Sequence, residues 1–114
     1  MWIRVKRVYD VPSKTDGTRV LADRLWPRGI TKVAARVDRW VKDLAPSHTL
    51  RQWYHKDPEG RLKEFRKRYW KELSSQKVHA RKNLGRFKRL TVVTAVKDIP
   101  RSHVPILVRF LERL

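Results

Sequence analysis

Asp23, Arg24 and Arg28 stand close together in the run Asp23-Arg24-Leu25-Trp26-Pro27-Arg28-Gly29, just after the apolar Val20-Leu21-Ala22. A carboxylate beside two guanidinium groups, placed where a strand gives way to a polar loop, is suited to orient a phosphorylated or carboxylated small molecule. Loops at the ends of α/β strands are where such sites collect. Lys42 and Asp43 would supply the proton carrier that a reaction needs. The candidate catalytic residues are therefore Asp23, Arg24, Arg28, Lys42 and Asp43, with Tyr9, Arg19 and Trp26 as further lining. Against catalysis, no nucleophile stands beside a base, and neither a glycine-rich phosphate loop nor a metal-ligand set is present. The same residues also read as an ion-pair network that anchors the loop, with Asp23 pairing to Arg19, Arg24 or Arg28.

A second group is defined by charge. Residues 61–89 hold twelve Lys and Arg against Glu64 and Glu72. Lys63, Lys67 and Lys71 recur at every fourth position and so share one helix face. Lys82, Arg86 and Arg89 are expected to share another, and Arg66, Arg81 and Lys88 complete the candidate nucleic-acid-binding set. Cations spread along helices suit phosphates spaced along a duplex, because each neutralised phosphate releases condensed counterions. They grip backbone without reading bases.

The whole chain supports that reading. Its 114 residues carry 29 Lys and Arg against 11 Asp and Glu, a formal charge of +18. That is far beyond what solubility alone favours. A thermophile-like surface rich in ion-pair networks would need matching acids, and only four Glu are present. Zero cysteines exclude disulfides and thiolate chemistry. His48, His55, His79 and His103 lack the spacing of a zinc site, so no metal and no cofactor are expected. No apolar run approaches the ~20 residues of a membrane span, and no signal-peptide pattern opens the chain. A membrane partner is not expected, and the cytoplasm is the default compartment, with nucleoid association the natural consequence of a DNA partner.

The elements that must carry these residues follow from periodicity. Trp2 to Tyr9 alternates Ile3, Val5 and Tyr9 with charged neighbours, as a strand with one wet face does. Arg19 to Trp26 reads as a second strand and Trp40 to Ala45 as a third. Thr31 caps a short helix to about Val37, and Ser47 caps a turn through Leu50 and Trp53. Asp57-Pro58-Glu59 is a helix start made of cap, first-turn proline and acid at the positive end of the dipole. The helix from Pro58 to about Ser74 places Leu62, Phe65, Tyr69 and Leu73 on a core stripe. A further helix is expected from about Gln76 to Arg89, with Gly85 in its interior. Thr91 to Val96 is a β-branched run fit for a central strand, and a last helix follows Ser102 with Leu107, Val108, Leu111 and Leu114 inward. Strands interspersed with helices imply an α/β fold: one small domain over residues 1–114, a largely parallel sheet of about four strands with helices packed on it.

Five segments carry a resemblance: Lys6 to Asp10, Asp16 to Gly29, Leu44 to Ser47, Leu50 to Trp53 and Phe65 to Tyr69. In order and spacing over essentially the whole chain they resemble the YeaO-like family, a domain of unknown function numbered 488, and the Asp23 to Gly29 run is the most specific of them. The resemblance implies a small cytoplasmic α/β protein and brings no activity with it. Relative to that family, this chain carries Lys and Arg where acids are usual, which implies a function added to a common scaffold. It also alters the Ala95 to His103 turn.

Together these readings lead to the expectation of a sequence-independent nucleic-acid-binding protein with a chromatin-like or architectural role. Double-stranded DNA is favoured because Trp40, Phe65, Tyr69, Phe87 and Phe110 sit at core spacing, leaving few stacking platforms beyond Trp53, Tyr54 and Trp70. The alternative is an enzyme or small-anion-binding protein using Asp23, Arg24, Trp26 and Arg28.

Overall fold

Four strands form the centre of the molecule: β1 (Trp2–Arg7), β2 (Thr18–Leu21), β3 (Arg39–Trp40) and β4 (Arg89–Thr94). A computed structural model describes residues 1–114. All pairings are parallel, in the spatial order β1-β4-β2-β3. The β-branched run is the central strand that its composition demands, with Trp2 to Arg7 in register with Arg89 to Thr94 on one side and Thr18 to Leu21 with Leu90 to Val93 on the other. Parallel strands need crossovers, and the chain supplies α1 (Lys32–Ala35) between β2 and β3 and α2 (His48–His55), α3 (Pro58–Ser75) and α4 (Lys77–Leu84) between β3 and β4, while α5 (Val104–Glu112) follows the last strand.

Strand alternation divides the sheet into two faces. Val20, Leu90 and Val92 meet the helices in the main core, where Phe65, Tyr69, Leu73, Leu84, Leu107 and Leu111 are buried. Leu21 and Val93 face the other way and are covered with Val8 and Ala35 by Trp26, Ile30, Val37 and Trp40. The wet side of β1 carries Arg4 and Lys6 to Asp16, a fully buried carboxylate that also binds Arg19 at 2.7 Å. Burial alone would raise the Asp16 carboxyl, but bonds from the Ser13 backbone, Lys6 and Arg19 outweigh it and hold it below its ordinary value. Gly17, next to this network, has φ +66°, and a Cβ there would lie 2.6 Å from the carbonyl oxygen of Arg89.

Helix ends follow the expected chemistry. The side chains of Thr31, Ser47 and Asp57 cap α1, α2 and α3, accepting from Ala34, Leu50 and Gly60. Three boundaries differ from the periodicity. The second strand ends at Leu21 rather than Trp26, because the Trp26 indole turns back to donate to the Ile30 carbonyl at 2.9 Å. The third strand is two residues long, after which Lys42 to Leu44 form a single helical turn. Helix α4 ends at Leu84 with Gly85 as its cap, so Arg89 is the first residue of β4 and not part of a helical face with Lys82 and Arg86.

Candidate functional site

At the carboxyl ends of β1, β2 and β4 the structure opens into a cavity of about 1030 Å³. This is the edge at which parallel α/β sheets bind ligands, because the connections diverge there. One wall is the Asp23 to Arg28 run. Arg24 is clamped by its Nε bond to the Pro46 carbonyl at 3.0 Å, and the Tyr9 hydroxyl donates to the Arg28 carbonyl at 2.8 Å. The opposite wall comes from α2 and the start of α3, with Arg51, Lys56 and the stacked pair Tyr54 and Phe65, whose ring centroids are 4.1 Å apart. The two carboxylate oxygens of Glu72 hold the N-terminus of α2 in place, accepting from the backbone N–H of Ser47 at 2.9 Å and its hydroxyl at 2.6 Å.

Asp23 lies at the base of this cavity and does not pair with any of the arginines expected for it. Its side chain, 13% exposed, accepts from the Ala95 N–H at 2.9 Å and the Thr94 hydroxyl at 3.0 Å. The Nε2 of His103 lies 3.5 Å from Asp23 Oδ1 and 3.1 Å from the Ala22 carbonyl. Burial would raise the Asp23 carboxyl, yet the hydrogen bonds and the charge of His103, with Ala95 and Thr94, hold it below its ordinary value. Arg19 instead belongs to the Asp16 network on the other face. Lys42 and Asp43 also lie elsewhere: Lys42 sits over the Trp40 ring at 3.9 Å, and Asp43, 70% exposed, meets His79 at 3.6 Å. Of the catalytic candidates, the cavity brings together Asp23, Arg24 and Arg28, joined by Tyr9 and Trp26. His103, Arg51 and Arg101 were not anticipated, since only the fold brings them to the same edge.

The nucleic-acid candidates behave differently. Lys63, Arg66, Lys67, Lys71, Arg81, Lys82, Arg86, Lys88 and Arg89 are all exposed. Of the 29 Lys and Arg side chains, only Arg4, Lys6, Arg19, Arg68 and Arg101 come within 4.0 Å of a carboxylate. Arg66 and Lys67 line a groove of about 600 Å³ between α3 and α5, and Arg109 and Arg113 face them from the far side. Trp70 is at its base, with the Arg113 guanidinium 5.4 Å from the ring centroid. Arg109 on α5 and Arg113 at its C-cap were missed because apolar periodicity dominates that helix. Arg86 and Arg89 occupy separate places: Arg86 lies against Phe87, and Arg89 and Arg4 both stack on Trp2. Tyr54, a possible stacking platform by sequence, is buried in the core.

Comparison with known proteins decides the family. A model described as the inactive DUF488-N3 subclade matches residues 2–114. The chain belongs to the DUF488 family. Among DUF488 relatives, the uncharacterized protein Rv3073c of Mycobacterium tuberculosis (strain ATCC 25618 / H37Rv) is 48% identical over 111 residues, covering 96% of this chain and 92% of its own. The uncharacterized protein YeaO of Escherichia coli (strain K12) is 34% identical over 116 residues, covering both chains completely. No solved structure matches this DUF488 chain.

Proposed function

We propose that this protein binds nucleic acid without sequence preference, with double-stranded DNA as its main partner, in a chromatin-like, nucleoid-associated role. The observation that carries the reading is the unpaired charge: 24 of the 29 cationic side chains have no carboxylate within 4.0 Å, and the nine nominated on or after α3 and α4 all face solvent. A surface in that state repels itself until an anion lattice neutralises it. Helix α3, about 27 Å long at 1.5 Å per residue, presents Lys63, Lys67 and Lys71 as a row, and α5 with its C-cap adds Arg109 and Arg113 across the groove from Arg66 and Lys67. Several phosphates can be met together on such a surface. The guanidinium groups of Arg89, Arg86 and Arg113 lie over the rings of Trp2, Phe87 and Trp70 and make no hydrogen bond within the chain, which leaves their N–H groups for phosphate oxygens. Single strands are less favoured, because the largest aromatic faces are buried or already covered by cations. A family described as inactive supports binding rather than turnover.

A gel-shift comparison of duplex DNA, single-stranded DNA and structured RNA of equal length tests the reading. Duplex DNA is expected to bind most tightly, and duplexes of unrelated sequence equally well. Preference for a single sequence, or no shift with any duplex, would contradict it.

A further inference from the structure

The cavity at the carboxyl edge of the sheet holds charge in an unbalanced way. Each of its carboxylates is already engaged. Asp23 receives Thr94, Ala95 and His103; Asp57 caps α3 through Gly60; and Glu59 and Asp98 both reach Arg101 at 3.8 Å. Its remaining cations, Arg24, Arg28, Arg51 and Lys56, have no carboxylate within 4.0 Å. The lining's five Lys and Arg exceed its four Asp and Glu by one, and the four cations without an ion-pair partner stand along one open cleft where the oxygens of an anion can accept from them. The volume of about 1030 Å³ stands at the top of the range of ~300–1,000 Å³ that takes drug-sized ligands, so a bare phosphate would leave most of it unfilled. The apolar remainder is supplied by Leu25, Trp26, Pro27 and Pro46 beside the Tyr54 and Phe65 rings.

We propose that this cavity binds a small phosphate ester, its phosphate held by Arg28, Arg51 and Lys56 with the half-buried Arg24, and its organic part lying against the apolar wall. The site is separate from the helical surface that meets duplex DNA. It needs no chemical step: the Asp23 and His103 pair joins the ends of β2 and β4 to the start of α5 at the base, and the carbonyls of Pro46 and Ala45 fix Arg24.

Isothermal titration calorimetry at 150 mM salt with ribose 5-phosphate, adenosine 5′-monophosphate, inorganic phosphate and uncharged adenosine tests this. The proteins compared are the parent, the double variant Arg28→Gln/Arg51→Gln, and Lys63→Gln/Lys67→Gln/Lys71→Gln. Arg28 and Arg51 are exposed and their side chains make no hydrogen bond, so the double variant is expected to melt like the parent. If it does not fold, Lys56→Gln serves in its place. Saturable one-to-one binding of at least one ester, tighter than inorganic phosphate, is expected in the parent and in the triple Lys variant, weakened at least about tenfold in the double Arg variant by loss of charge-assisted bonds. The proposal is overturned by no saturable binding, by inorganic phosphate binding as tightly as the esters, by undiminished binding in the double Arg variant, or by equal loss in the triple Lys variant. The triple Lys variant bears on the DNA reading and the double Arg variant on this one, so either can fail alone.

Discussion

Replacing Asp23 by Asn tests the role assigned to the base of the cavity. The carboxylate accepts from three donors, the Ala95 N–H at 2.9 Å, the Thr94 hydroxyl at 3.0 Å and the His103 ring. An amide offers one acceptor oxygen and turns an NH2 group toward a remaining donor. Hydrogen bonds to a charged group are each worth ~1.5–3 kcal/mol, so losing one outright and weakening another destabilises the fold by about 3 kcal/mol. At ~4 °C per kcal/mol for a chain of this length, the melting temperature at pH 7 should fall by about 12 °C. Because the folded-state pKa of Asp23 is lowered, its contribution is present above the unfolded value of roughly 3.9 and disappears as pH falls through the folded value. The stability gap between parent and variant should therefore be full at pH 6 and close as pH falls through the lowered folded-state value, as followed by urea denaturation with circular dichroism. Duplex affinity of the folded variant should be unchanged. An Asn variant as stable as the parent at pH 7, or a gap that widens in acid, would refute this account of Asp23.

Asp16→Asn should cost ~3–5 kcal/mol, read in the same denaturation assay, because Arg19, 4% exposed, would keep its buried charge without the partner at 2.7 Å. Gly17→Ala should destabilise by ~1–3 kcal/mol, since φ +66° disfavours any side chain and the new Cβ would meet the Arg89 carbonyl. The Lys63→Gln/Lys67→Gln/Lys71→Gln variant should melt like the parent yet bind duplexes more weakly and uniformly across sequences in gel shifts, flattening the salt slope by up to about three.

Much of this architecture is written in short-range chemistry. Asp57-Pro58-Glu59 starts α3, Ser47 and Thr31 cap their helices, Phe65, Tyr69 and Leu73 enter the core, and the β-branched run becomes the central strand. Each depends on neighbours within one or two turns, so local spacing suffices. The Asp23 partner was not legible for the opposite reason: His103 lies eighty residues away and reaches Asp23 only because the loop after β4 turns the N-cap of α5 back to the end of β2. Proximity in sequence suggested the arginines, but Arg24 prefers the carbonyls of Ala45 and Pro46, and Arg19 points to the opposite face of the sheet. Helical periodicity also carried Arg89 too far along α4, because a Leu-Gly-Arg-Phe sequence keeps helical spacing even where Gly85 closes the helix. The positive charge was legible in full, whereas its division between a helical surface and a cavity was not, since that division depends on which loops meet at the edge of the sheet.

Fluorescence anisotropy of a labelled random-sequence duplex, titrated with the parent protein between 50 and 200 mM salt, tests nucleic-acid binding most directly. If about six phosphates are neutralised, log K falls linearly with log salt at a slope of about −0.9 per contact, a loss of ~10³ over that range, and a duplex of different sequence gives the same line. Affinity that does not change with salt, or a duplex that fails to bind at 50 mM, would contradict the account.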